Sequence, residues 1–290
     1  MPSIRPVLRN AGRGTRRSGR WFAALRNLKI PGGKTMTQSK AGKVVWHDLF
    51  TSDRKRSMDF YQHIADWTYQ VERATDFAWG GGEKDFVLAL LADEAGAGFA
   101  ETPPDNENGW IAYVEVPDVD AAVERVDALG GKTVRKPFEV PGVGRNALVR
   151  DPLGVPFGLS LSRHNFPVPH RQFGREVYVS NSGLFPEEFY VELFEWQVAS
   201  KRDPGCVSFA GPSGDVVAVR YVSNVPTSSN AAWVPSIKVA SVSNARSLAE
   251  ANGARLAPLE ADRTAQTHGF ILCDPDGSLF ALEVGLANSF

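Results

Sequence analysis

The residue best suited to acid–base chemistry at neutral pH is His47, in the run Trp46-His47-Asp48, because an imidazole titrates there without help from its surroundings. Arg145 lies in the loop VPGVGR, where Gly142 and Gly144 let the backbone turn tightly. Its guanidinium could grip a carboxylate or phosphate bidentately, or pair with one of the many surface acids. Lys238 has Glu176 and Glu283 as candidate ion-pair partners. Other chemistries lack their signatures: no Gly-rich phosphate loop precedes a helix, no Ser-His-Asp order stands out, and there is no Cys-x-x-Cys. Gly80-Gly81-Gly82 reads as a hairpin turn. Cys206 and Cys273 sit in or beside apolar runs and read as reduced thiols of a cytoplasmic protein.

The elements that must position these residues come as a repeat. DPLGVPFGL from Asp151 returns as DPDGSLFAL from Asp274, in each case a turn feeding a final strand. The same offset of 123 carries Trp110 to Trp233, Val116 to Val239 and Gly130 to Gly253. Upstream, an offset of 129 carries Phe60-Tyr61 to Phe189-Tyr190 and Trp67 to Trp196. Four units of about fifty residues are thus arranged as pair and pair. In the first, VVWHDLF is a strand, Ser52 or Asp53 caps a helix bearing Met58, Tyr61, Ile64 and Ala65, and DWTYQVE, FAWGG and DFVLALLAD are three further strands. The stretch from Asp93 to Gly109 reads as a connector. A second β-α-β-β-β unit runs from Trp110, its helix ended by Gly130-Gly131. Ser162 to Gln172, with prolines and the solvated His164 and His170, is the linker; the plan then repeats, with a Ser-rich joint at Pro226 to Asn230.

With 290 residues, 43% hydrophobic and 22% charged, the chain has the profile of a globular protein with enough length for two cores. Its longest apolar runs, such as Phe86 to Leu91, are too short to span a membrane. Residues 1–40 hold ten Lys and Arg and no acid, leaving 22 basic against 33 acidic residues afterwards, so the body is no phosphate-tracking surface and nucleic acid is not an expected partner. The basic segment reads as an organellar targeting peptide, a disordered tail, a membrane-surface helix around Trp21 to Leu28, or a start assigned too early, with Met36 the favoured true start.

Paired β-α-β-β-β units with Trp46-His47-Asp48, Phe60-Tyr61 with Trp67, Pro117-Asp118-Val119-Asp120, the loop from Pro141 to Arg145 and Asp151-Pro-Leu-Gly154 resemble the vicinal oxygen chelate superfamily. That group includes glyoxalase I, the bleomycin-resistance proteins and the extradiol dioxygenases; the tandem glyoxalase-like proteins are most similar. The resemblance covers about Val44 to Val284 and implies an α+β fold of two tandem domains, each curled from two β-α-β-β-β units into a cup. Domain 1 is then 44–162, the linker 163–173, domain 2 174–286, and 1–40 an extension outside the fold.

Metal-dependent members ligate a divalent ion from the inner face of the cup. Carried over, their positions fall on His47, Ala89-Leu90, Ile111 and Gly158 in the first domain, and on Glu176, Val234 and Ala281 in the second. One donor per cup does not make a metal site, so no metal and no cofactor is expected. Alternate strand positions would point inward, presenting His47, Leu49, Thr51, Ile111, Tyr113, Glu115, Gly158 and Ser160 in the first cup, with Tyr113 or Glu115 orienting His47 or the substrate. The second would present Glu176, Tyr178, Ser180, Ser236, Lys238, Ala281 and Glu283. The expected function is binding of a small, partly apolar organic molecule. The rivals are a lyase, isomerase or dioxygenase-like enzyme using His47, and sequestration of a toxic compound as in bleomycin resistance. Since the tandem chain supplies both domains, a monomer suffices, with a homodimer as the alternative.

Overall fold

The structure, a computed structural model, describes residues 40–74, 84–103, 106–180, 184–203, 206–222, 231–257 and 271–285. The basic extension, Met36, the strand and glycine turn expected from Phe77 to Gly82 and the Ser-rich joint lie outside the described residues. Gln38–Phe290 forms one compact unit.

Two eight-stranded mixed sheets carry four α-helices among the described residues. The first sheet holds β1 (Val44–Thr51), β2 (Thr68–Ala74), β3 (Lys84–Leu91), β4 (Glu94–Glu101), β5 (Gly109–Glu115), β6 (Lys132–Val140), β7 (Gly144–Arg150) and β8 (Pro156–Ser162), in the order β2-β3-β4-β1-β5-β8-β7-β6. Helices α1 (Arg54–Ala65) and α2 (Val119–Ala128) follow β1 and β5. The second sheet repeats the plan with β9 (Phe173–Ser180), β10 (Gln197–Asp203), β11 (Cys206–Ala210), β12 (Val216–Val222), β13 (Ala231–Val239), β14 (Arg255–Leu256), β15 (Ile271–Cys273) and β16 (Leu279–Val284), ordered β10-β11-β12-β9-β13-β16-β15-β14. Helices α3 (Glu187–Phe194) and α4 (Val242–Ala251) complete it. The fold is α+β, two tandem cups of the vicinal oxygen chelate type.

Local chemistry explains the boundaries. Asp53, Asp118 and Ser241 each cap a helix by accepting from a backbone N–H of its first turn. One expectation is corrected: residues 94–101 are strand β4, parallel to β1, and not connector. Its glycines hid it, because Gly96 and Gly98 stand where a Cβ would collide with Gln172 and with the Phe86 ring. Alternating with them, Ala97 and Phe99 are fully buried on the other face.

The apolar interior is shared between the sheets, where two separate cores were expected. One cluster joins Val119, Val126 and Phe157 of the first half to Tyr190, Trp196 and Trp233 of the second. Another joins Leu49, Tyr61, Trp67 and Phe99 to Ile237, Leu272 and Phe280. Helix α1 packs on α4 and α2 on α3, so the helix-bearing faces meet and the cups face away from each other.

Each Asp-Pro-x-Gly turn locks this arrangement. Asp274 Oδ1 accepts from the N–H groups of Asp276 and Ser278 in its own turn, while Oδ2 accepts from Tyr61 of the first half at 3.0 Å. Reciprocally, Asp151 Oδ1 holds Leu153 and Val155, and Oδ2 accepts from Tyr178 and Tyr190 of the second half, each at 2.8 Å. The tyrosine oxygens accept in turn from Trp110 and Trp233. Gly154 and Gly277, at φ +86° and +96°, let both turns close. Burial pushes Asp274 up to about 6 and Asp151 upward as well.

Tyr61→Phe, which strips Asp274 Oδ2 of its tyrosine, is expected to cost about 1–3 kcal/mol in urea unfolding. Tyr190→Phe should cost less, because Tyr178 remains on Asp151; the reverse ranking would contradict this account of the lock. The wild type should unfold in a single transition, and two separate transitions would contradict the shared core.

Candidate active site

Strand register decides what each sheet face carries. In β1, Trp46 pairs with Tyr113 and Asp48 with Ile111, whereas His47 pairs with Ala112. Tyr113 pairs onward with Gly158, and Gly158 with Leu148. Phe50, Ala100, Ile111, Tyr113 and Leu148 form the apolar lining of the first cup. Trp46, Asp48 and Phe50 therefore face the cup, while His47, Leu49 and Thr51 face the interior between the sheets.

The assignment of His47 to the first cup and of Glu176, Tyr178 and Ser180 to the second is corrected accordingly. His47 and Glu176 occupy the same position of the repeated strand, and they meet: His47 Nε2 and Glu176 Oε1 are hydrogen-bonded at 2.7 Å, both residues buried. The Phe173 ring stacks on the imidazole at 3.9 Å. Tyr178 is spent on Asp151. Neither Tyr113 nor Glu115 orients His47: Tyr113 bonds Asp48, and Glu115 accepts from the backbone and hydroxyl of Ser162 at the cup's rim. Ser160 is buried on the cup face, paired in the ladder with Glu115 and Asn146.

The remaining expected contacts also resolve differently. Arg145 holds Asp120 through two bonds of 2.6 and 2.7 Å and reaches Glu139 at 3.3 Å, its charge spent on neighbouring acids. Lys238 pairs with neither Glu176 nor Glu283; it donates to the His170 carbonyl, and Glu283 pairs with Arg175. The second cup is apolar, with Val177 at the place of Asp48 and Val234 at that of Ile111, among Val179, Val219, Tyr221 and Ala281. Cys206 and Cys273 border it and form no disulfide.

Chemistry concentrates on Asp48, which sequence reasoning passed over in favour of its neighbour. Its Oδ1 accepts from Trp46 Nε1 and its Oδ2 from the Tyr113 hydroxyl, both at 2.8 Å. Burial raises its pKa to about 6, against the lowering effect of Tyr113, Trp46 and His47. Tyr113 is pushed upward by burial and the Asp48 charge, so it stays a donor. Gly158 makes room, since a Cβ there would collide with the Tyr113 ring. Across the bowl, the Arg135 guanidinium lies 3.4 Å over the Phe138 ring. No signal within β1 selects Asp48 over His47; the choice follows from the pairing of Trp46 with Tyr113 and of Asp48 with Ile111.

A divalent ion of the kind bound by the metal-dependent relatives does not fit this set. The central strands β1, β4, β5 and β8 bring Trp46 and Asp48, Gly98 and Ala100, Ile111 and Tyr113, and Gly158 and Ser160 to the cup face. The carboxylates on this face of those strands are Asp48 and, at the rim, Glu115; Asp48 is engaged by Trp46 and Tyr113 and Glu115 by Ser162, and no group of three His, Cys, Asp or Glu side chains forms among the described residues.

Comparison with known proteins agrees with this architecture. Residues 43–159 match the family model of the Glyoxalase/Bleomycin resistance protein/Dioxygenase superfamily. The matched residues make up most of the first half, and the second half repeats the same strand order. CFP32 of Mycobacterium bovis, whose name carries the word glyoxylase, is 32% identical over 133 residues, 44% of this chain and 49% of that protein. The anthracycline biosynthesis protein DnrV of Streptomyces peucetius is 30% identical over 135 residues, 43% of this chain and 48% of its own. Each match thus spans about half the relative's length. A substituted 4-hydroxymandelate synthase from Streptomyces coelicolor aligns over 84% of this chain and 92% of its own, with TM-score 0.55 and 11% identity, a likeness of fold alone. No helix among the described residues is long and apolar enough to cross a membrane.

His47→Ala leaves the Glu176 carboxyl buried without its partner and is expected to cost about 3 kcal/mol in urea unfolding; a neutral effect would contradict the bond. Asp48 has a raised folded pKa, so between its ordinary 3.8 and about 6 the native state binds the proton more tightly than the unfolded chain. Its contribution to stability is therefore lost as pH rises through that window, on the order of 2–3 kcal/mol. Unfolding midpoints across the window should decline less steeply in Asp48→Asn, and an unchanged slope would contradict the raised pKa.

Proposed function

We propose that the chain binds a small, partly apolar organic molecule in the first cup, over Asp48, without a divalent metal. The observation that carries this reading is the Asp48 carboxyl, set in an aromatic and aliphatic bowl, held by Tyr113 and Trp46, and raised to about 6. An apolar recess with a few convergent polar groups is the usual make-up of a small-molecule site. A carboxyl that titrates near neutrality can accept a hydrogen bond or take up a proton from what is bound there. If the bound molecule is transformed, that acid–base role falls to Asp48, because His47 faces the other way. The relatives' names support the class: one carries the word glyoxylase, another anthracycline biosynthesis, and both matches cover about one half of this chain. A single chain supplies both sheets and the shared core, so a monomer is sufficient.

Ligand-observed NMR screening with small aromatic and carbonyl compounds tests the reading. A compound bound by the wild type should lose at least about tenfold in affinity in Asp48→Asn. It should keep its affinity in folded His47→Ala; the opposite pattern would move the site to the interface between the sheets. Elemental analysis of protein purified without chelators or a histidine tag should find far less than one transition metal per chain. A stoichiometric metal lost in Asp48→Asn would overturn the metal-free reading.

A further inference from the structure

Asn146 is a buried polar residue that neither the fold nor the Asp48 cluster uses. On β7, Ala147 and Val149 belong to the core between the sheets, whereas Leu148 lines the first cup. Alternation along the strand therefore places Asn146 on the cup face, where the ladder sets it opposite Ser160 on one side and Phe138 on the other. The residue is 9% exposed, and its Oδ1 has no hydrogen-bond partner. Leaving a buried carbonyl-type oxygen unpaired is costly, and native structures rarely do so without a use for the group. Leucine at this position would remove the cost and match its neighbour Leu148.

We infer that Asn146 is the specificity-determining residue of the first cup, accepting a hydrogen bond from a hydroxyl or N–H group of the ligand. This rests on the reading of the cup as the ligand site. Asp48 and Asn146 stand on β1 and β7, three strands apart in the order β1-β5-β8-β7. Asp48 stands opposite Ile111 and Asn146 opposite Ser160 and, through it, Glu115, so at about 4.8 Å per strand and about 3.3 Å per residue they are roughly 14 Å apart across the strands and roughly 13 Å apart along them, and less across the concave face. A molecule touching both is larger than one ring. The side chains between them, Ile111, Tyr113 and Leu148, favour an apolar, planar frame. The ligand class is a hydroxylated or amino-bearing molecule of two or more rings, with its donor toward Asn146. A site built to pair with a donor rejects the analogue that lacks it, because its own buried group is then left unpaired.

Fluorescence titration with 2-naphthol and 2-methoxynaphthalene, a pair of similar shape differing in the donor, tests the inference. The wild type should prefer 2-naphthol by about tenfold or more. Asn146→Leu should abolish that preference while leaving 2-methoxynaphthalene affinity little changed, and should unfold at no lower urea concentration than the wild type. Asn146→Asp, which keeps an acceptor, should retain the preference. A preference that survives in Asn146→Leu would overturn the inference. Equal binding of both probes, weakened in Asp48→Asn, would overturn it while leaving the cup as the ligand site. Binding of neither probe would exclude the two-ring class, and the separate Asp48 and His47 screen would then decide the cup itself.

Discussion

The structure depends on an exchange of hydrogen bonds between two copies of one turn. Asp151 and Asp274 each use one carboxyl oxygen to hold their own Asp-Pro-x-Gly turn and give the other to a tyrosine of the opposite half. Because those tyrosines, Tyr190 and Tyr61, sit on the helices after β9 and β1, the exchange draws the helix-bearing faces together. Stacked Tyr61–Trp67 and Tyr190–Trp196 pairs then fill the shared interior. With both helix faces buried, each sheet has only its concave side left for a ligand.

That constraint splits strand β1 between two tasks. His47 and Leu49 join the halves, His47 meeting the residue at its own position in the second copy. Trp46, Asp48 and Phe50 build the cup. Duplication supplied two cups, and they have diverged: Val177 replaces Asp48, Val234 replaces Ile111 and Ser236 replaces Tyr113, leaving the second without a carboxyl at its centre. The half that matches the superfamily model is also the half that keeps the acid.

Much of the fold was legible in the sequence because its signals are local. The repeated turn, the Phe-Tyr helices, the caps at Asp53 and Asp118 and most strands follow from short-range pattern and turn chemistry. Strand β4 was hidden because its cup-side positions are glycines that yield to Phe86 and Gln172, side chains distant in sequence. The site was legible only in part. Trp46-His47-Asp48 was visible as a cluster, but His47 and Asp48 differ by one residue, and in a strand one residue exchanges the faces. The tie is broken by Glu176 and Phe173, which claim His47 for the interface from well over a hundred residues away. Asn146 gives no sequence signal, since an unpaired acceptor is defined by what surrounds it.

The most direct measurement is a carboxyl carbon NMR titration of aspartate-labelled protein, with the Asp48 resonance assigned through Asp48→Asn. A midpoint near 6 that shifts when a ligand enters the first cup, and that moves only upward when His47, which lowers it, is replaced, is expected of a buried acid at the centre of the site. A midpoint near the ordinary value of 3.8, indifferent to ligand, would contradict it and return Asp48 to the status of an exposed carboxylate.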